Sequence, residues 1–132
     1  MIEINGWIMI RESYKEEDDD DELLTSIIKQ IDIKINELSY SNEFYLSKPL
    51  NGSHHLSIMV NHNHRSSAEH VIDFFKWIAE ISVGSYGLLY VHDDEDLKRQ
   101  NENKFKVWVM KKGIVTEEDD IFLSPLIPTI ED

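Results

Sequence analysis

Two alternating runs held apart by four consecutive acids restrict this chain more than any other feature. Tyr86, Leu88, Tyr90 and His92 alternate with Gly87, Leu89 and Val91, and Phe105, Val107 and Val109 alternate with Lys106, Trp108 and Met110. A two-residue period is the mark of half-buried strands. Between the runs, Asp93, Asp94, Glu95 and Asp96 cannot enter a core, because a buried carboxylate without a partner is very costly. Residues 84–113 therefore predict an antiparallel hairpin whose charged tip lies at the rim of a sheet.

The remaining chain supplies layers for that hairpin to join. Trp7, Met9 and Arg11 alternate with Ile8 and Ile10, a first strand with an aliphatic face and a Trp/Met face. The acids 16–22 precede Leu24, Ile27, Ile28, Ile31, Ile35 and Leu38, which step by three and four as on an amphipathic helix. Carboxylates at its entrance suit the positive end of the helix dipole, so a solvated helix start is the plain reading of that run. Residues 43–50 and 55–62 read as two strands joined across Asn51-Gly52, a dipeptide suited to positive φ, and Pro49 points to an edge. Ser66 and Glu69 fit a capping box for a second helix with Val71, Phe74, Phe75, Ile78 and Ile81 on its apolar face and Gly84 as its stop. The order strand, helix, strand, strand, helix, strand, strand predicts an α+β fold: an antiparallel sheet of about five strands, both helices on one face, with a ferredoxin-like split βαβ core as one form. The opposite face is expected to carry Trp7, Met9, Met59, Trp108 and Met110, either covered by the tail or open as a binding surface. The whole chain, 1–132, is expected to form a single domain, with 120–132 an extended segment packed along it.

Charge narrows the choice of partner. The formal net charge is −13, and seventeen of the 26 acids fall in four runs, 16–22, 93–96, 117–120 and 131–132. Like-charge repulsion disfavours nucleic acid and anionic bilayers as partners and favours a basic protein. The absence of cysteine rules out disulfides and thiolate zinc sites and suits a cytoplasmic setting. No basic leader with a cleavage site and no run of eighteen apolar residues is present, so neither export by a standard signal nor membrane spanning is expected.

Catalytic patterns are weak. The six histidines, among them His62, His64 and His92, match no helix-borne ligand pair, so no metal is expected. The acids 93–96 lack the alternate ligands and glycine of a calcium loop, and consecutive residues at a strand end do not converge as acid–base pairs do. Residues 84–87 are not a nucleophile elbow. A divalent-metal-dependent enzyme using Asp93 to Asp96 and an acidic homo-oligomeric or scaffold module stay open as alternatives; no catalysis and no cofactor are expected.

GSYGLLYVHDDED at 84–96, KFKVWVMKKG at 104–113 and DIFLSPLIPTIED at 120–132, with INGWIMIRESY at 4–14 and NHNHRS at 61–66, resemble the immunity protein 7 family of bacterial polymorphic toxin systems. The resemblance runs from the first strand to the last residue. It implies a protein that binds a cognate toxin domain and neutralises it inside the producing cell. Stoichiometric occlusion of a basic active site, most simply that of a nuclease, fits the charge of this chain. The expected docking residues are Asp93, Asp94, Glu95 and Asp96, then Glu117, Glu118, Asp119 and Asp120, with Trp108 as an aromatic anchor. The run 16–22 is not among the segments that carry the resemblance.

Overall fold

The computed structural model describes residues 1–38, 41–47 and 51–132. The strands are β1 (Ile2–Ile10), β2 (Phe44–Leu46), β3 (His54–His62), β4 (Tyr86–Asp93), β5 (Lys106–Lys111) and β6 (Ile114–Asp119), and the helices are α1 (Asp21–Glu37) and α2 (Glu69–Ile81). They form one six-stranded sheet in the order β2-β3-β1-β4-β5-β6, with every neighbouring pair antiparallel. The four strands β2-β3-β1-β4, with α1 and α2 as their crossovers, make the split βαβ arrangement of ferredoxin-like folds. The hairpin β5-β6 extends that core beyond β4, giving six strands where about five are expected.

Both helices lie on one face because only that face of the sheet is continuously apolar. Ile2, Ile4, Ile8 and Ile10 of β1, Leu56, Ile58 and Val60 of β3, and Leu89 and Val91 of β4 are all buried there. Ile27, Ile31 and Ile35 of α1 and Val71, Phe74, Phe75 and Ile78 of α2 close over them in a single cluster. The isoleucine-rich α1 has mediocre intrinsic propensity, so this burial holds it in place. Full burial of one such side chain contributes about 1.5–3 kcal/mol.

The start of α1 matches the plain reading of the acidic run. Asp20 is its N-cap, accepting from the Leu23 N–H at 3.1 Å, with Asp21 and Glu22 in the first turn. Asn51 and Gly52 take φ of 54° and 77°, as the tight turn requires; β2 is an edge strand, while Pro49 and Leu50 lie outside the described residues.

Three expectations are corrected. The capping box does not form: α2 begins at Glu69, its N-cap is Ala68 with no side-chain cap, and a 3₁₀ turn over Arg65–Ser67 leads in. Ala68 N–H donates to Arg65 O at 2.9 Å and Val71 N–H to Ala68 O at 3.0 Å, so the backbone satisfies itself. Gly84 does not stop α2, which ends at Ile81. A Cβ at position 84 would lie 2.3 Å from the carbonyl carbon and oxygen of Ser13, so glycine is needed there for close approach of two chain segments. Around it, Ser82 Oγ donates to Arg11 O at 2.6 Å and Arg11 N–H to Ser85 Oγ at 3.1 Å, fastening the end of α2 to the end of β1.

The third correction bears on the site. Leu89 pairs with Trp108 and Gly87 with Met110, and Leu89 faces the helices. Trp108 and Met110 therefore face the helices too, not the opposite side. Met110 is buried in the core, and Trp108 lies half-buried beneath α2, with the Lys76 ammonium 4.9 Å from its ring centroid.

Candidate protein-binding face

The acids at 93–96 are tied into the fold. Asp93 ends β4; one of its carboxylate oxygens accepts from the Glu95 N–H at 3.0 Å, and the other lies 3.9 Å from Arg65 Nη1. Asp94 and Glu95 accept from the α-ammonium of Met1 at 2.8 and 3.3 Å, and the other Glu95 oxygen lies 3.5 Å from His64 Nδ1. Asp96 accepts from the Lys98 N–H at 3.2 Å and from Asn101 Nδ2 at 3.0 Å. Each bond favours the charged carboxylate, so Asp94 and Glu95 are held below the usual carboxylate range, chiefly by the ammonium, and Asp96 chiefly by Asn101. The quartet pins two remote segments, Met1 and His64-Arg65, to one corner of the sheet.

The run at 117–120 divides by orientation. Register with Lys106 and Trp108 turns Asp119 and Glu117 toward the helix side and Glu118 to the other face. Asp119 pairs with the Lys106 ammonium, which lowers its pKa. Asp120 is buried, 7% exposed, and its carboxylate accepts from the Phe122 and Leu123 N–H groups at 3.3 and 2.9 Å. Trp108 lies on the helix side, with Glu117 as its direct partner on β6. The nine residues expected to dock are thus spread over a corner, an edge and both faces of the sheet.

The histidines are likewise separated. His62 Nε2 lies 2.7 Å from Glu43 Oε2 and His70 Nε2 lies 3.2 Å from Glu43 Oε1, on the helix side, while His64 is at Glu95 and His92 Nε2 donates to Glu102 O, 2.7 Å away. Among the described residues no group of three or more potential ligands is placed to hold a metal ion.

The face of the sheet away from the helices has a different character. Register aligns Tyr45, Ser57, Trp7, Leu88, Val109 and Thr116 in one row across all six strands, and Met59, Asn5, Tyr90, Val107 and Glu118 in the next. Met59 is 74% exposed, Tyr45 67%, Tyr86 43% and Trp7 36%. The Trp7 ring meets His55 and Tyr86 edge-on, with centroids 6.2 and 6.0 Å away, which stiffens the centre of the face. Trp7, Met9 and Met59 lie where alternation puts them; Tyr45 and Tyr86 join them through strand pairing.

The segment 120–132 borders this face without closing it. Asp120 N–H donates to Phe105 O at 3.0 Å. Asn103 clasps the segment further on, donating to Ile127 O at 2.7 Å and accepting from the Leu126 and Ile127 N–H groups at 3.0 and 2.8 Å. Ser124 bonds to Glu131 and Thr129, so the segment turns back on itself. Phe122 and Leu123 with Asn5, Tyr90 and Phe105 line a shallow, mainly apolar cleft of about 280 Å³. Phe122, Leu126 and Ile127 stay exposed. Exposed aromatic and aliphatic groups are thus gathered on this face and along its border.

No helix among the described residues is long and apolar enough to cross a membrane. Comparison with the curated proteins and with the solved structures gives no match. The family models do: that for Immunity protein 7 spans residues 1–132, the full sheet, both helices and the bordering segment alike, and the chain belongs to that family.

Proposed function

We propose that this protein binds the toxin domain encoded beside it, one to one, and neutralises it in the cytoplasm of the producing cell by covering the toxin's active site. The toxin is a nuclease in this reading. An enzyme acting on nucleic acid needs a cationic cleft to hold phosphates, and a chain of net charge −13 is the electrostatic complement of such a cleft. The role is one of binding, not catalysis.

The observation that carries the reading is the distribution of that charge within an immunity-family fold. The run 16–22 stands beyond the end of β1, Asp93 to Asp96 at its other end, and Glu117, Glu118 and Asp119 along β6. Acids so arranged raise the encounter rate with a basic partner and fix its register. Asp93 to Asp96 and Glu117 to Asp119 are the steering residues in this proposal, and Asp120 contributes by shaping the segment that follows it.

A calorimetric titration against the neighbouring toxin domain at two salt concentrations tests it. Tight one-to-one binding that weakens with salt is expected, together with loss of nuclease activity at equivalence. Absence of binding at both salt concentrations would overturn the reading.

A further inference from the structure

We infer that the open face of the sheet, centred on Trp7, Tyr45, Met59 and Tyr86, is the surface on which the toxin domain docks, and that the toxin presents to it an apolar protrusion bordered by Lys and Arg. This rests on the proposed function above and names the site through which it works. The acids steer the approach, while the face supplies most of the affinity.

Size is the first argument. Six strands at ~4.8 Å spacing and strands of up to nine residues at ~3.3 Å rise give the face at most roughly 700 Å². That is close to the ~800 Å² each partner contributes to a specific protein interface and far more than a small ligand covers. Composition is the second. In the two central rows the only charged group is Glu118 at the β6 end, and interface centres are likewise depleted of charge and enriched in Trp, Tyr and Met. The cleft beside Phe122 and Leu123 has the size and polarity to take one apolar or aromatic anchor side chain.

Charge selects the occupant. Acidic groups stand at both ends of β1 and along β6, so the apolar centre has an acidic surround on three sides. A second copy of this chain would bring its own −13 against that surround and meet net repulsion. A basic protein gains at the same places. Internal ties do not remove the field: Asp94, Glu95 and Asp96 stay ionised, their pKa values lowered by the very bonds that hold them.

The test uses the full chain and the neighbouring toxin domain in surface plasmon resonance. Met59→Arg and Tyr45→Ala alter highly exposed side chains and should melt within a few degrees of the parent. Met59→Arg puts a cation against the toxin's basic border and should raise Kd at least 100-fold, chiefly through faster dissociation; Tyr45→Ala should raise it at least tenfold. Neutralising Glu117 and Glu118 together should instead slow association at low salt and leave dissociation nearly unchanged. If the parent binds tightly and both face variants bind within threefold of it, the docking face is wrong while the immunity reading stands. If the parent does not bind, both fall. A dimer by light scattering that Met59→Arg dissociates would give the face to a second copy and overturn the inference.

Discussion

Replacing Asp120 by Ala should release residues 121–124 from the sheet while leaving the domain folded. The buried Asp120 carboxylate accepts from two N–H groups through a single oxygen, Oδ2, at 3.3 Å from Phe122 and 2.9 Å from Leu123. A hydrogen bond to a charged acceptor contributes about 1.5–3 kcal/mol, and the longer bond belongs at or below the low end of that range. Partial replacement by water at this rim leaves a net loss of roughly 2 kcal/mol. The Asn103 clasp on Leu126 and Ile127 does not depend on Asp120, so the opening stays local. Two kcal/mol corresponds to roughly 30-fold faster exchange, read by hydrogen exchange at the Phe122 and Leu123 amides, with little change in the urea midpoint. Asp120→Asn keeps an oxygen able to accept both bonds and should show well under half the effect in free energy. Exchange within twofold of the parent in Asp120→Ala, or equal effects of Ala and Asn, would refute the claim that this carboxylate fastens the segment.

Other perturbations probe the scaffold. Gly84→Ala forces a Cβ to 2.3 Å from Ser13 backbone atoms and should cost about 1–3 kcal/mol of stability in urea unfolding; a loss below about 0.5 kcal/mol would mean the two segments separate freely. Ile31→Ala, at a fully buried position, should cost about 2–5 kcal/mol, and a smaller loss would show that α1 settles onto the sheet without it. Asn101→Ala tests the acid limb. The folded Asp96 carboxyl lies below its ordinary value, chiefly through Asn101, so its contribution is full above the unfolded pKa and is lost as pH falls through the folded one. Below about pH 4 the parent should therefore lose stability more steeply than the variant, and parallel pH profiles would remove Asn101 as the cause.

What the sequence discloses of this fold is what short-range periodicity encodes. The alternation in β1, β3, β4 and β5, the three-and-four spacing in α1 and α2, and the Asn51-Gly52 turn all follow from local pattern, and with them the two-layer architecture. The face on which Trp108 lies does not, because the long connection 94–105 leaves the β4–β5 register free of turn geometry, and only the Leu89–Trp108 pairing fixes it. β6 was hidden because Ile114 and Val115 are followed by Thr and three acids, a pattern with no apolar alternation; its pairing with β5 is what makes it a strand. Local pattern makes Gly84 a helix stop, since its true neighbour, Ser13, is 71 positions away in the chain. Separations of 93 and 31 positions likewise hide the ties of Asp94 to Met1 and of Glu95 to His64. The proposed docking face is half legible: alternation gives Trp7, Met9 and Met59, while Tyr45 and Tyr86 enter it only through register.

The acidic outer strand also governs how this protein tolerates its own abundance. β6 ends the sheet on one side, and an unpaired strand edge is a template onto which further strands can grow into aggregates. Glu117, Glu118 and Asp119, all exposed, turn that edge into one that copies of the chain cannot share, because alignment would stack carboxylate on carboxylate. A protein that leaves tyrosine, tryptophan and methionine uncovered is thereby kept from seeding fibres through this edge when its concentration is high.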